Sequence, residues 1–177
     1  NGWQRIQLPN TIRKLSFGEQ IQYKPNESII LNSSLYIGDE GQDSTRLFHD
    51  FYAQLNLNQK LNILVNIDYG LQKQPSIDRT NIWWNTGIQS SYLINSRIKL
   101  NGRFEYFGDD DGVIFGQFEN KGVNMYGYSG GIDFEIYKGL IFRTEFRKLK
   151  SSYSLIKYEE GNRRDFTSIT TSLGYQF

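Results

Sequence analysis

Residues 60 to 72 read KLNILVNIDYGLQ, with Leu61, Ile63, Val65, Ile67, Tyr69 and Leu71 at every second place and Asn62, Asn66, Asp68 and Gln72 between them. A period of two is that of a β-strand whose faces meet two different solvents. The same alternation continues toward the N-terminus through Phe51, Ala53, Leu55 and Leu57, through Ile29, Leu31, Leu35 and Ile37, and through Leu15, Phe17, Ile21 and Tyr23. Toward the C-terminus it passes through Trp84, Ile88, Tyr92 and Ile94, then Ile98, Leu100, Phe104 and Tyr106, then Tyr126, Tyr128, Ile132, Phe134 and Ile136. Phe142 and Phe146 carry it on to Ile169, Leu173, Tyr175 and Phe177. The spacing predicts about nine strands, near 14–24, 27–37, 46–57, 60–72, 80–94, 97–108, 121–137, 139–149 and 164–177.

Composition agrees with strands. The 177 residues contain one alanine, Ala53, and one methionine, Met125, against 12 Tyr, 12 Phe, 3 Trp and 17 Gly, a balance that disfavours helix. The length suffices for one domain, taken as residues 1–177. Twenty basic residues offset 19 acidic ones, so the net charge of +1 provides no field for nucleic acid. There is no cysteine for a disulfide or a thiolate site. No apolar run approaches the ~18 residues of a membrane helix, so a membrane form of this chain is a closed barrel.

The connections sharpen the choice. KPNES, LNQK, INSR and YKG are short turns between antiparallel neighbours, whereas GDEGQDST, KQPSIDR, GDDDGVIFGQFENK and KSSYSLIKYEEGN are long and polar. Short turns on one rim, long loops on the other and strands of about ten residues are the signature of an outer-membrane barrel. A soluble sandwich also alternates, but its polar face meets bulk water and carries Lys and Glu. Here that face carries Gln20, Gln22, Asn32, Ser34, Tyr52, Gln54, Asn56, Asn62, Asn66, Asn85, Gln89, Asn101, Ser168 and Ser172. Its charges gather in adjoining strands as Arg97, Lys99, Arg103 and Glu105, then Asp133 and Glu135, then Arg143, Glu145 and Arg147. A hydrated lumen with a charged wall accounts for both groups, and these nine residues are the candidate pore lining.

The opening NGWQRI, the stretch HDFYAQL, the block GRFEYFGDDDG and the ending TTSLGYQF together resemble the OmpL-like β-barrel porins of Bacteroidetes-like bacteria. The resemblance covers nearly the whole chain and implies a transmembrane antiparallel up-and-down β-barrel in the outer membrane, acting as a diffusion channel. In that family the NGW element is internal, which implies strands before Asn1, and an Asn is no translation start. A terminal Phe resembles the assembly signal of such barrels, read from the periplasmic side. Phe177 and Tyr175 are then the anchor, the long loops are extracellular, and an odd number of earlier strands completes the usual even total. Alternatively, residues 3–9 supply a tenth strand ending at Pro9.

Catalytic readings are weak. His49 precedes Asp50, with Ser44 nearby, but adjacent strand residues point to opposite faces and form no orienting pair. Asp109, Asp110 and Asp111 lack the spaced ligands of a calcium loop and read as a turn nucleated with Gly112. Gly127, Gly130 and Gly131 precede no helix, so they read as a bulge or curvature, not a phosphate loop. The expectation is a non-enzymatic, cofactor-free porin for small hydrophilic solutes, embedded among outer-membrane lipid and lipopolysaccharide. The alternative is a non-conducting barrel, its charges neutralised as salt bridges, that acts as a surface binding or assembly component with other outer-membrane subunits.

Overall fold

The computed structural model describes residues 10, 14–41, 44–74, 79–117, 121–154, 156–158 and 161–175. Its strands are β1 (Phe17–Asn26), β2 (Ile29–Asp39), β3 (Thr45–Asn56), β4 (Leu61–Gln74), β5 (Arg79–Asn95), β6 (Ile98–Asp109), β7 (Val123–Tyr137), β8 (Leu140–Ser151), β9 (Ile156–Tyr158), β10 (Gly161–Arg163) and β11 (Asp165–Tyr175). The nine long strands form one antiparallel sheet in the order β1 to β8 and then β11, each beside its neighbour in the chain. This is the up-and-down topology read from the alternation. Among the described residues the two short strands β9 and β10 pair with each other, inside a connection read as a long polar loop. Among the described residues β1 and β11 are the two free edges, so the sheet is an open arc, a partial barrel. Residues 3–9, the alternative tenth strand, lie outside the described residues, as does Phe177.

Asparagine and glycine set the short turns. Asn58 Oδ1 accepts from the N–H groups of Lys60 (2.8 Å) and Leu61 (2.9 Å), and Asn95 Oδ1 from those of Arg97 (2.9 Å) and Ile98 (3.0 Å). Asn26 Oδ1 does the same for Ser28 N–H at 2.9 Å. In the fourth turn Gly139 takes φ 80°, where an L side chain is strained.

The distribution of burial is inverted relative to a water-soluble domain. Among the described residues the buried apolar side chains are Trp83 and Val123, while Asn32, Asp39, Arg46, Asn81, Asp109 and Ser151 are buried and polar. On the opposite face Ile67, Ile88, Phe104, Tyr128, Phe134 and Phe146 are 40–53% exposed. The polar face is the concave one, because side chains on strands two apart meet across it: Arg103 reaches Glu145, Arg147 reaches Glu105, and Gln22 reaches Tyr52. Second-neighbour strands lie about 9.5 Å apart, a gap that long side chains bridge only where the sheet curves toward them. The convex face carries an apolar middle of Leu31, Ala53, Val65, Ile88 and Phe104, joined in register across β2 to β6. Aromatic side chains flank it, with Tyr69, Trp84, Tyr106 and Tyr126 toward the long loops and Tyr92, Phe134, Phe142 and Tyr175 toward the short turns. Trp84 and Tyr106 pack with ring centroids 4.9 Å apart. Such girdles suit the two interfaces of a bilayer.

Candidate functional site

Strands β6, β7 and β8 place the predicted charges on the concave wall. Lys99, Asp133 and Arg143 share one register row, and Asp133 binds Lys99 Nζ at 3.1 Å and Arg143 Nε at 3.4 Å. Asn101 Nδ2 donates to the other oxygen of Asp133 at 3.0 Å. Closer to the long loops, Arg147 bonds Glu105, and Arg103 lies 3.3 Å from Glu145 and 3.9 Å from Glu105. Seven of the nine residues, Lys99, Arg103, Glu105, Asp133, Arg143, Glu145 and Arg147, thus form two networks. The remaining two stand apart at the short-turn rim. Arg97 is exposed in the β5–β6 turn, and Glu135, at the β7 bulge, accepts from Gly139 N–H at 2.9 Å. Ion pairs with this much exposure contribute about 0.2–1 kcal/mol each, so they order the wall more than they stabilise it.

Strands β1 to β5 supply an amide wall. Asn32, 1% exposed, accepts from Gln20 Nε2 at 2.7 Å and donates to Ser34 Oγ at 3.0 Å and Asp50 Oδ2 at 3.4 Å. Asn62 donates to Asn56, and Asn85 to Asp68. Asp50 and Asp68 are direct partners across β3 and β4.

At the long-loop end the wall changes character. Asp109, fully buried, accepts from the N–H groups of Val113 (2.7 Å), Ile114 (2.8 Å) and Phe115 (3.2 Å), which folds the β6–β7 loop back over the concave face. Asp110 accepts from Asn124 Nδ2 at 2.7 Å, and Asp111 binds Arg79 and accepts from Ile82 N–H at 2.9 Å. The three aspartates therefore tie a loop to β5 and β7, with Gly112 at φ 67° making the turn. Phe115 meets Phe107 edge-on at 5.4 Å and helps line a cavity of about 380 Å³ with Phe48, Trp83, Met125 and Leu149. Arg46 stacks over Trp83 at 5.1 Å, and Trp83 lies where a Cβ on Gly70 would stand, 2.0 Å from the ring. This apolar end was missed in the sequence. Its signal was there in Trp83 beside Trp84, and in Phe104 to Phe107, where both faces turn apolar near a long loop.

The remaining candidates resolve locally. His49 Nε2 lies 2.9 Å from Ser33 Oγ in a convex row with Leu35 and Tyr69, while Asp50 faces the concave side with Ser34 and Asp68. Ser44 Oγ donates to the Lys73 carbonyl at 2.8 Å. Of the bulge or curvature expected at Gly127, Gly130 and Gly131, the bulge is not there: pairing through the glycines is continuous, and the strand's irregularity lies between Glu135 and Tyr137. Gly127 leaves room for Glu105, whose Oε1 a Cβ there would meet at 2.6 Å. Tyr175 is on the convex face, 64% exposed.

Among the described residues, cavities of about 380, 280 and 510 Å³ follow one another along the concave face from the long-loop end to the short-turn end. Neighbouring cavities share lining residues, Asn85 and Glu105 in one case and Leu64, Gln89 and Arg103 in the other. No curated protein matches the chain. Among solved structures it is similar to the NanC porin, with a TM-score of 0.63 at 11% identity, over 92% of this chain and 78% of that one. The family model described as "Putative beta-barrel porin-2, OmpL-like" matches residues 1–177. An inverted sheet with a polar concave wall and a family match over residues 1–177 place the chain in the OmpL-like beta-barrel porin-2 family, as an outer-membrane β-barrel of porin type.

Proposed function

We propose that the protein carries small hydrophilic solutes passively across the outer membrane, along the concave wall, with its long loops extracellular and its C-terminus periplasmic. The observation that carries this reading is the run of adjoining cavities, two of them lined mainly by amides, hydroxyls and charges, on the face a soluble sheet would pack with apolar side chains. The mechanism is exclusion and field. Lys99, Arg103, Arg143 and Arg147 face Glu105, Asp133 and Glu145 across a few ångströms, and a permeating ion exchanges water for these groups. Lipid and lipopolysaccharide surround the convex face, held by the aromatic girdles and by the anchor residues Tyr175 and Phe177.

Planar-bilayer recording on the full-length protein tests the proposal, and discrete conductance steps are the expected result. A correctly inserted barrel that passes no current overturns it in favour of the second reading, a non-conducting surface binding or assembly subunit. One observation favours that alternative: Glu105, Asp133 and Glu145 each sit within 4.0 Å of an Arg or Lys, as in a wall that neutralises itself.

A further inference from the structure

A wall built only for water has no use for the apolar chamber at its long-loop end. The chamber is preformed. Trp83, 3% exposed, lies against bare Gly70, and the loop bearing Phe115 is pinned through Asp109 and Asp111, so a ligand need not order it. Its floor is polar and incomplete. Arg147 bonds Glu105 through a terminal nitrogen, but its Nε is buried without a partner. Asp68 accepts from Asn85 at Oδ2, and Asp50 stands beside it in register, so two carboxylates meet at this floor. A guanidinium and a carboxylate that line one cavity under an apolar roof offer a single ligand an anion site and a cation site together.

We propose that this chamber is a selectivity site for small zwitterions bearing an aromatic or bulky apolar side group. The ring lies among Trp83, Phe107 and Phe115, the carboxylate meets the Arg147 guanidinium, and the ammonium meets the Asp68 carboxylate beside Asp50. A volume of about 380 Å³ holds one such molecule. A simple anion leaves Asp68 open, a simple cation leaves Arg147 open, and glycine leaves the apolar walls wet. The inference rests on the channel reading, since it names the solute that such a path would favour.

The test titrates refolded full-length protein with L-phenylalanine, glycine, 3-phenylpropionate and phenethylamine by calorimetry, and adds the same solutes to single channels in planar bilayers. L-Phenylalanine is expected to bind saturably, and each solute lacking one group to bind about tenfold more weakly or worse. Phe115→Ala, a loop substitution that spares the sheet, is expected to weaken L-phenylalanine about fivefold, in line with a lost aromatic contact. Equal binding of the four solutes, or no saturable binding of L-phenylalanine to folded protein, overturns the site. Calorimetry needs no current, so saturable binding without conductance overturns passive diffusion alone, and conductance without binding overturns the site alone.

Discussion

Val65 and Asn66 are neighbours on β4, yet they answer to different solvents. Val65 sits in a convex row with Ala53 and Ile88, and Asn66 in a concave row with Tyr52 and Gly87. On the convex face a side chain meets lipid; on the concave face, in the channel reading proposed above, it bears on what passes through. The largest expected effect follows directly. Val65→Arg puts a cation toward mid-bilayer depth at a cost of about 2–4 kcal/mol and should abolish most assembly. Asn66→Arg meets water and should assemble as wild type. Heat-modifiable folded protein in outer-membrane fractions measures both, and equal yields would erase the distinction between the faces.

This distinction was legible in the sequence because parity along a strand reports which face a residue occupies. The strand positions followed from it closely: 60–72 was expected where Leu61–Gln74 is found, and 139–149 where Leu140–Ser151 is found. Parity says nothing about depth along the wall. It put Phe107, Met125 and Leu149 on the same face as Arg103 and Arg147, but not that they gather into an apolar end. That arrangement depends on contacts between residues far apart in sequence, such as Arg79 with Asp111, and on one carboxylate, Asp109, collecting three N–H groups. The short β9–β10 hairpin was invisible for a related reason, since three-residue strands carry too little alternation to stand out from a polar loop.

The concave face can be tested at this loop. Asp109→Ala removes the acceptor of three hydrogen bonds to a buried carboxylate, each worth about 1.5–3 kcal/mol, while the sheet below it keeps its ladders. The expected outcome is a barrel that still assembles but whose β6–β7 loop leaves the wall. Trypsin cleavage after Lys121 should accelerate, and single-channel conductance should rise as the long-loop end widens. Loss of assembly instead would mean that Asp109 serves the fold of the sheet, and that the concave face is less independent of insertion than Val65 and Asn66 suggest.

The smallest effect probes the charges themselves. The two networks hold four cations, Lys99, Arg103, Arg143 and Arg147, against three carboxylates, Glu105, Asp133 and Glu145. Changing Arg143 and Arg147 together to Gln leaves two cations against three, and reverses the sign of this stretch of wall. At about 0.15 M salt the screening length is about 8 Å, so the change is felt by an ion in the lumen and hardly beyond it. Assembly should be unchanged, because the glutamines remain in water on the concave side. Reversal potentials in a salt gradient should move toward cation preference, and the shift should shrink as salt is raised. A conducting double variant with unaltered selectivity would place the ion path away from β6 to β8, along the amide wall of β1 to β5, and leave the charged networks a structural role. Arg143 and Arg147 pair with different acids, so the single substitutions should add. Each removes one charge from its own network, Arg143 from Asp133 and Arg147 from Glu105.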